Sequence, residues 1–386
     1  MIYVHVPFCR SFCTYCDFYS EVASKCRKAD DEQRQTQLFR RFSNALADEA
    51  RMRGHEISDD VNTLYIGGGT PSVLPLSAFR TLLDALADAG HGGPYDEFTV
   101  EVNPEDIVEK GEAYVEGLLE MGVNRISMGV QSFDDGILRF MNRRHDAATA
   151  RKAYSVLENV GVGNISIDLI FGLPQLSDQQ WSDTLKCALD ISLRGVPPQH
   201  ISSYQLSVEP GSMLARMVER GSWTEASDEL CERQYAMLCS VLSDAGYNHY
   251  EISNFAQPGF EAVHNSAYWR HVPYVGLGPG AHSFIQRPSC RCVRQWNSPD
   301  LRAYIGDPMS VQEHETLDEE QLILERIMLG LRTSAGLPER WLKEHCDLPA
   351  LDRAFSAGDL ILNPEGNVRI PESRFFVSDR IISDIV

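Results

Sequence analysis

The sequence predicts an α/β fold: a partial (β/α)6 barrel followed by a smaller C-terminal α+β module of winged-helix-like order. Three observations carry this. A strand-then-helix unit recurs six times up to residue 206, and serial units of this kind make parallel strands with crossover helices. Six strands are too few to close an eight-stranded barrel, so the sheet is expected to stay open and splayed. The chemically unusual residues sit where these strands end, which is where functional side chains gather in such barrels. Past Val208 the pattern changes. The expected boundaries are 1–226 for the barrel, 227–310 for a connecting segment and 311–386 for the C-terminal module.

The first strand is the apolar run Ile2–Val6, which leads into a cysteine loop. Residues 20–36 are polar without apolar period and are expected to be a flexible excursion. Leu38, Phe42, Ala45, Leu46 and Ala50 stripe a helix that closes near Gly54. A strand at 63–66 ends in Gly67-Gly68-Gly69-Thr70-Pro71, and Phe79, Leu82, Leu83 and Leu86 stripe the next helix. A strand at 98–102 ends in Asn103-Pro104, followed by one helix up to Gly122. A strand at 125–130 ends in Gln131-Ser132-Phe133, followed by a helix over 147–160. A strand at 165–171 ends in Gly172-Leu173-Pro174, and Trp181, Leu185 and Leu189 mark its helix. The sixth strand is 200–206. Beyond it we expect a helix over 227–246, a short strand over 247–253 and an aromatic, glycine-rich ordered loop over 264–284. A helix over 317–330, a turn at Ala335-Gly336-Leu337-Pro338, a short helix and a hairpin near Gly366-Asn367 complete the chain.

Composition narrows the function. A net charge of −20 over 386 residues argues against a nucleic-acid partner, since phosphate binding needs a basic face, and against adsorption to an anionic membrane. No apolar run reaches the length of a membrane span, and the first residues lack the basic and apolar regions of a signal peptide. Ten cysteines, clustered at the start and otherwise scattered, do not form a secreted disulfide framework. A cytoplasmic, reducing location is expected. Cys290-Arg291-Cys292 is a weak candidate chelate with nothing nearby to complete it.

Cys9, Cys13 and Cys16 share one loop. A closed zinc site asks for four ligands, and so does a four-iron cluster. Three thiolates on a cluster leave one iron open for a substrate or cofactor. A structural zinc loop or free thiols are the alternatives. The glycine triplet after the second strand lets backbone groups approach a ligand closely. A phosphate loop is its rival reading, without the lysine that a Walker motif would carry.

The CxxxCxxC spacing with Phe8, Phe12, Tyr15 and Phe18 beside it resembles the radical S-adenosylmethionine (SAM) superfamily. The opening from Tyr3 to Phe18 is similar to its coproporphyrinogen-oxidase-like branch. The resemblance implies a [4Fe–4S] cluster on Cys9, Cys13 and Cys16, with SAM held on the open iron and cleaved by one electron. It also implies SAM contacts from Tyr3, Gly68, Gly69, Thr70, Glu101, Gln131, Arg143 and Asp168. These roles suit the chemistry, because Glu101 and Asp168 accept from ammonium or hydroxyl groups and Arg143 forks a carboxylate.

Two features separate the branches. Oxygen-independent coproporphyrinogen oxidases resemble CxxxCxxCxC, and the position of their fourth cysteine is Phe18 here. They also carry an extension before the first strand, for which two residues before Tyr3 leave no room. His264-Asn265-Ser266-Ala267-Tyr268-Trp269 fits HNxxYW, which resembles the haem-chaperone branch. That resemblance implies haem as a third cofactor and His264 as its ligand, with His282 or His271 as the other candidates, since histidine is a normal axial ligand. The bland reading of His264 is a loop cap among core aromatics. The implied partners are haem, haem-acceptor proteins (respiratory ones among them) and an electron donor if SAM is cleaved. A homodimer is the implied assembly. The oxidase and a radical SAM methyltransferase stay open as alternatives, because the strand-end motifs do not separate them from a chaperone.

Overall fold

Alternation along the strands decides where everything else goes. In β1 (Ile2–Val6), β2 (Thr63–Gly68), β3 (Glu97–Val102), β4 (Arg125–Gln131), β5 (Ile165–Phe171) and β6 (His200–Gln205), successive side chains point to opposite faces. Leu64, Ile66, Phe98, Val100, Ile126, Met128, Ile165 and Ile167 belong to the buried apolar core. The residues between them, among them Glu101, Arg125, Ser127, Asp168 and Ser202, line a cavity inside the barrel. The computed structural model describes residues 1–23, 29–58, 60–287 and 292–386. Cys290 and Arg291 of the candidate chelate therefore lie outside the described residues, while Cys292 is described.

The six strands run parallel and in sequence order. The crossovers carry α1 (Ala29–Arg53), α2 (Leu76–Asp88), α3 (Pro104–Lys110), α4 (Glu112–Glu120), α5 (Asp135–Phe140), α6 (Ala147–Val160) and α7 (Asp178–Leu189). Beyond β6, α8 (Met213–Glu219) and α9 (Asp228–Asp244) precede β7 (Asn248–Glu251) and β8 (Asn254–Ala256). This antiparallel pair extends the sheet past β6. At the other edge, β9 (Val275–Leu277) pairs parallel with β1. The result is a nine-stranded open sheet.

Several elements differ from expectation, and three of them bear on the barrel. Helix α1 begins at Ala29, inside the stretch expected to be flexible. Residues 32–34 are exposed, so the first turns of α1 need no apolar stripe, and Asp31 and Glu32 favour a helix N-terminus. The single helix expected before Gly122 is broken at Gly111, whose φ of 70° ends α3 and starts α4. The aromatic segment expected as loop contains α10 (Val263–Trp269), β9 and the start of β10 (His282–Gln286). These pieces are too short to show a period, and β9 exists because β1 offers it an edge.

Strand β10 joins β11 (Cys292–Asn297) and β12 (Gln312–Leu317) in a small antiparallel sheet. Helix α11 (Leu301–Gly306) lies between the last two. The chain ends with α12 (Glu319–Gly330), β13 (Leu337–Pro338), α13 (Glu339–His345), α14 (Leu348–Ala357), β14 (Ile361–Leu362), β15 (Asn367–Arg369) and α15 (Ser378–Ile385). The expected hairpin is β14 with β15, and β13 adds a third strand.

A buried polar knot holds the β9 edge. Glu49 and Arg53, both on α1, form a salt bridge at 2.9 Å with neither side chain more than 1% exposed. Glu49 also accepts from Asn297 Nδ2 and from the Gly278 amide, each at 2.8 Å, and from the Tyr304 hydroxyl at 2.6 Å. Arg53 donates to Gly276 O at 2.8 Å and to Ser283 Oγ at 3.0 Å. Removing Glu49 leaves Arg53 with only the half-buried Glu56, at 2.7 Å, and strips three buried donors of their acceptor. Glu49→Ala should lower the unfolding free energy by about 3–5 kcal/mol in urea titration. A loss below about 1 kcal/mol would show that the knot does not hold the edge.

Candidate active site

The cysteine loop leaves β1 and is fastened on several sides. The Gly69 amide donates to Val6 O at 2.8 Å and the Thr70 amide to Phe8 O at 2.7 Å. Phe8–Cys9 pairs parallel with Glu21–Val22. The Thr14 amide donates to Met141 O at 3.1 Å, and Thr14 O accepts from the Leu214 amide of α8 at 2.8 Å. Asn142, at φ 56°, donates from Nδ2 to Phe12 O at 2.6 Å. Arg10 reaches over to α3, where it pairs with the buried Asp106 at 3.2 Å and with Glu109. Glycine is required at position 69, because a Cβ there would sit 2.7 Å from Phe8 O and 2.8 Å from Val6 O.

The loop caps a cavity of about 600 Å³ that descends into the barrel. Cys9, Cys13, Cys16, Gly68, Gly69, Thr70, Glu101, Gln131, Arg143 and Asp168 all line it. Residues from four strand ends, the N-terminal loop and Arg143 thus meet in one place. Gln131 sits at φ 67° where the pairing of β4 with β5 shifts register, a strained backbone of the kind found at binding sites. Burial pushes Glu101 up to about 7, although it accepts from Tyr65 Oη at 2.7 Å and the Gly68 amide at 3.2 Å. Burial likewise pushes Asp168 up to about 6, against a bond from Ser127 Oγ at 3.2 Å.

Two of the expected residues do not line the cavity. Tyr3 donates from its hydroxyl to His5 Nδ1 at 3.1 Å, because His5 Nε2 must keep its proton for Tyr19 O at 2.8 Å. His264, expected to face haem, is 1% exposed on α10. Its Nδ1 is 2.8 Å from Thr63 Oγ1 and its Nε2 is 3.1 Å from the Tyr268 hydroxyl. Burial pushes it down to about 3, so the ring is neutral and both nitrogens are occupied. The position of His264 therefore does not match that expectation. Its neighbour Asn265 does line the cavity.

The expectation set also missed Arg125, Ser127, Ser202 and Tyr204, which line the lumen. Their signal was the alternation of polar residues along β4 and β6. Arg125 is 2% exposed, and its Nε has no hydrogen-bond partner among the described residues.

The chain matches the Radical SAM superfamily over residues 3–188. It is 33% identical to the heme chaperone HemW of Bacillus subtilis over 385 residues, covering 97% of this chain and 94% of the relative. This chain belongs to the HemW family of radical SAM proteins. HemW of Synechocystis sp. is also 33% identical, over 341 residues that cover 87% of this chain and 78% of the relative. The fold agrees with coproporphyrinogen III oxidase (HemN) from Escherichia coli, with a TM-score of 0.77 at 20% identity over 99% of this chain and 89% of that one.

Membership of the superfamily implies a [4Fe–4S] cluster and SAM, and the residues fit both. Among the described residues, no three His, Cys, Asp or Glu side chains converge as a single metal ion would need. A four-iron cluster asks for less convergence, since each thiolate takes its own iron. Burial pushes Cys16 up to about 12 and raises Cys9 as well, so these thiols stay protonated until a metal takes them. Thr70 Oγ1 and Arg143 Nη1 lie 3.5 Å from Cys9 Sγ and Cys13 Sγ. Arg143 Nε is buried, lacks a partner among the described residues and lines the cavity, as a carboxylate-binding arginine would.

Gly69→Ala should destabilise the protein by about 1–3 kcal/mol, as overpacking does, and should lower its iron uptake. Gly163→Ala is the control, because a Cβ there meets nothing within 4 Å. Equal urea midpoints for the two variants would remove the steric constraint at Gly69.

Proposed function

We propose that this chain is a haem chaperone that carries haem, a [4Fe–4S] cluster and SAM, and passes haem to acceptor proteins. Three cysteines rather than four at the cavity mouth carry this reading, together with an exposed Phe18 where the oxidases place a cysteine. HemW relatives named as heme chaperones support it. Residues 1–226 then carry the six parallel strands of the cofactor barrel, 227–310 are a connecting segment that adds three strands to the same sheet, and 311–386 are the C-terminal module. Among the described residues no helix is long and apolar enough to cross a membrane. We place the protein in the cytoplasm.

Cys9, Cys13 and Cys16 hold the cluster. Gly68, Gly69, Thr70, Glu101, Gln131, Arg143 and Asp168 hold SAM. The cluster and SAM together supply one-electron chemistry when bound. The chain's own work is to position and to exclude water. Arg143 pairs the carboxylate, and Glu101 and Asp168 accept from ammonium or hydroxyl groups. For haem we favour His282, which is exposed and stacks on Trp296 at 6.0 Å between ring centroids, over the enclosed His264.

Three outcomes test this reading. Anaerobic reconstitution should give about four irons per chain, lost when all three cysteines become alanine. The same protein should bind haem without converting coproporphyrinogen to protoporphyrinogen, and turnover at enzyme-like rates would overturn the chaperone reading. His282→Ala should shift the Soret band. His264→Ala should instead lower thermal stability, since it unpairs Thr63 and Tyr268. A Soret shift from His264→Ala alone would return the ligand to α10.

SAM binding should depend on pH. A cation facing Glu101 and Asp168 favours their ionised forms, so binding releases protons, and calorimetric affinity should rise from pH ~5.5 to ~7.5 and then level. The empty protein has the opposite sign. Its raised carboxyls bind more protons folded than unfolded, so stability falls as pH rises from about 4.5 to about 7. An affinity flat across that range would take both carboxylates out of the SAM site. Arg143→Ala should weaken SAM by about 1.5–3 kcal/mol, the worth of a charged hydrogen bond.

A further inference from the structure

Asn103 stands at the end of β3, in the N-cap position of α3. Asparagine there ordinarily turns its side chain onto the first amides of the helix. This one makes no such bond. Its backbone amide is held by Ser72 Oγ at 3.1 Å, and that hydroxyl donates to Asp106 at 2.7 Å. The side chain is thus free to turn toward the cavity, which it lines.

There it meets two groups. Arg143 Nη2 lies 2.7 Å from Asn103 Oδ1, and Asn103 Nδ2 lies 3.2 Å from Thr70 Oγ1. The chemistry of the partners settles the protons. A guanidinium only donates, so the amide oxygen faces Arg143. The amide nitrogen must then donate to Thr70. The Thr70 hydroxyl accepts that bond, and its single proton is left for Cys9 Sγ at 3.5 Å. The same Arg143 donates from Nη1 to Cys13 Sγ at 3.5 Å. The amide therefore orients the Thr70 donor to one sulfur and, together with Gly129 O, which accepts from Arg143 Nη2 at 2.6 Å, the Arg143 donor to a second, while touching neither sulfur itself.

We infer that Asn103 is a positioning residue that sets the reduction potential of the cluster through Thr70 and Arg143. The inference rests on the assignment of the cluster to Cys9, Cys13 and Cys16. Hydrogen bonds to ligating sulfur stabilise the reduced cluster, which carries one more negative charge, and so raise its potential. Asn103 keeps both donors pointed at sulfur and holds the potential up, within reach of a one-electron donor.

Asn103→Asp tests this with almost no change of shape. A carboxylate can only accept, so it keeps Arg143 but draws the Thr70 proton away from Cys9. The readout is the midpoint potential of the reconstituted protein, titrated with dithionite and followed by the signal of the reduced cluster, with iron content measured on the same sample. The midpoint should move to lower potential at full iron content, so that the reduced-to-oxidised ratio at the wild-type midpoint falls several-fold (tenfold corresponds to 59 mV for one electron). Thr70→Val should lower it too, while Thr70→Ser, which keeps the hydroxyl, should stay at the wild-type value. On a Thr70→Val background, Asn103→Asp should add a smaller shift than it gives alone. Should Asn103→Asp lose iron, the Thr70 pair decides, and a wild-type midpoint in Thr70→Val overturns the inference. Full additivity of the two substitutions also overturns it. A wild-type chain that takes up no iron overturns the cluster assignment itself, a result separable from an unchanged midpoint.

Discussion

The carboxylate of Glu49 is what allows an open barrel to end in an ordered edge. Strand β1 carries the cysteine loop and needs a partner on each side. On one side it has β2, a long strand with its own helix. On the other it has β9, three residues with a glycine in the middle. So short a strand has little reason to hold its place alone. The Gly278 amide, Asn297, Tyr304 and Arg53 all converge on Glu49, so helix α1, the chain after β9 and helix α11 are tied at one buried point. A buried ion pair is weak evidence of net stabilisation, but its satisfied geometry defines one arrangement and penalises others.

What was legible in the sequence follows from how local each signal is. The six parallel strands could be read because each alternates with a helical pattern and four of them stop at glycine, proline or asparagine, and the convergence of Cys9, Gly68, Glu101, Gln131 and Asp168 followed from their places at strand ends. Strand β9 could not be read, since its pairing with β1 spans most of the chain. The enclosure of His264 could not be read for a related reason. Its motif suggested a ligand, but Thr63 of β2 and Tyr268 close around it, and neither contact has a period in sequence. Asn103-Pro104 reads as an ordinary helix start, and only the positions of Thr70 and Arg143 show that its side chain is used elsewhere.

The lumen explains why the cavity stays available for polar ligands. Barrels of this kind usually fill their interiors with branched apolar side chains. Here Arg125, Ser127, Asp168, Ser202 and Glu101 stand in that place. Their burial is costly without partners, and the raised carboxyls of Glu101 and Asp168 record that cost. A charged ligand relieves it. The apolar core lies instead between sheet and helices, so the protein can keep a polar interior without giving up its main source of stability.

The hydrogen bond from the Leu301 amide to the Tyr19 hydroxyl, at 2.8 Å, bears on how the protein is made. Tyr19 lies just past the cysteines, and its carbonyl also holds His5. The three thiols leave the ribosome well before two of the supports beneath them, β9 and Leu301, which lie more than 250 residues further along. At about 5–20 residues per second, the nascent thiols wait roughly 15–60 s before those supports emerge. During that interval the loop is an open set of cysteines on an unfinished barrel. The loop therefore reaches its final shape only after residue 301 has emerged, and an oxidant that reaches the protein during synthesis meets the three thiols before the barrel can shelter them.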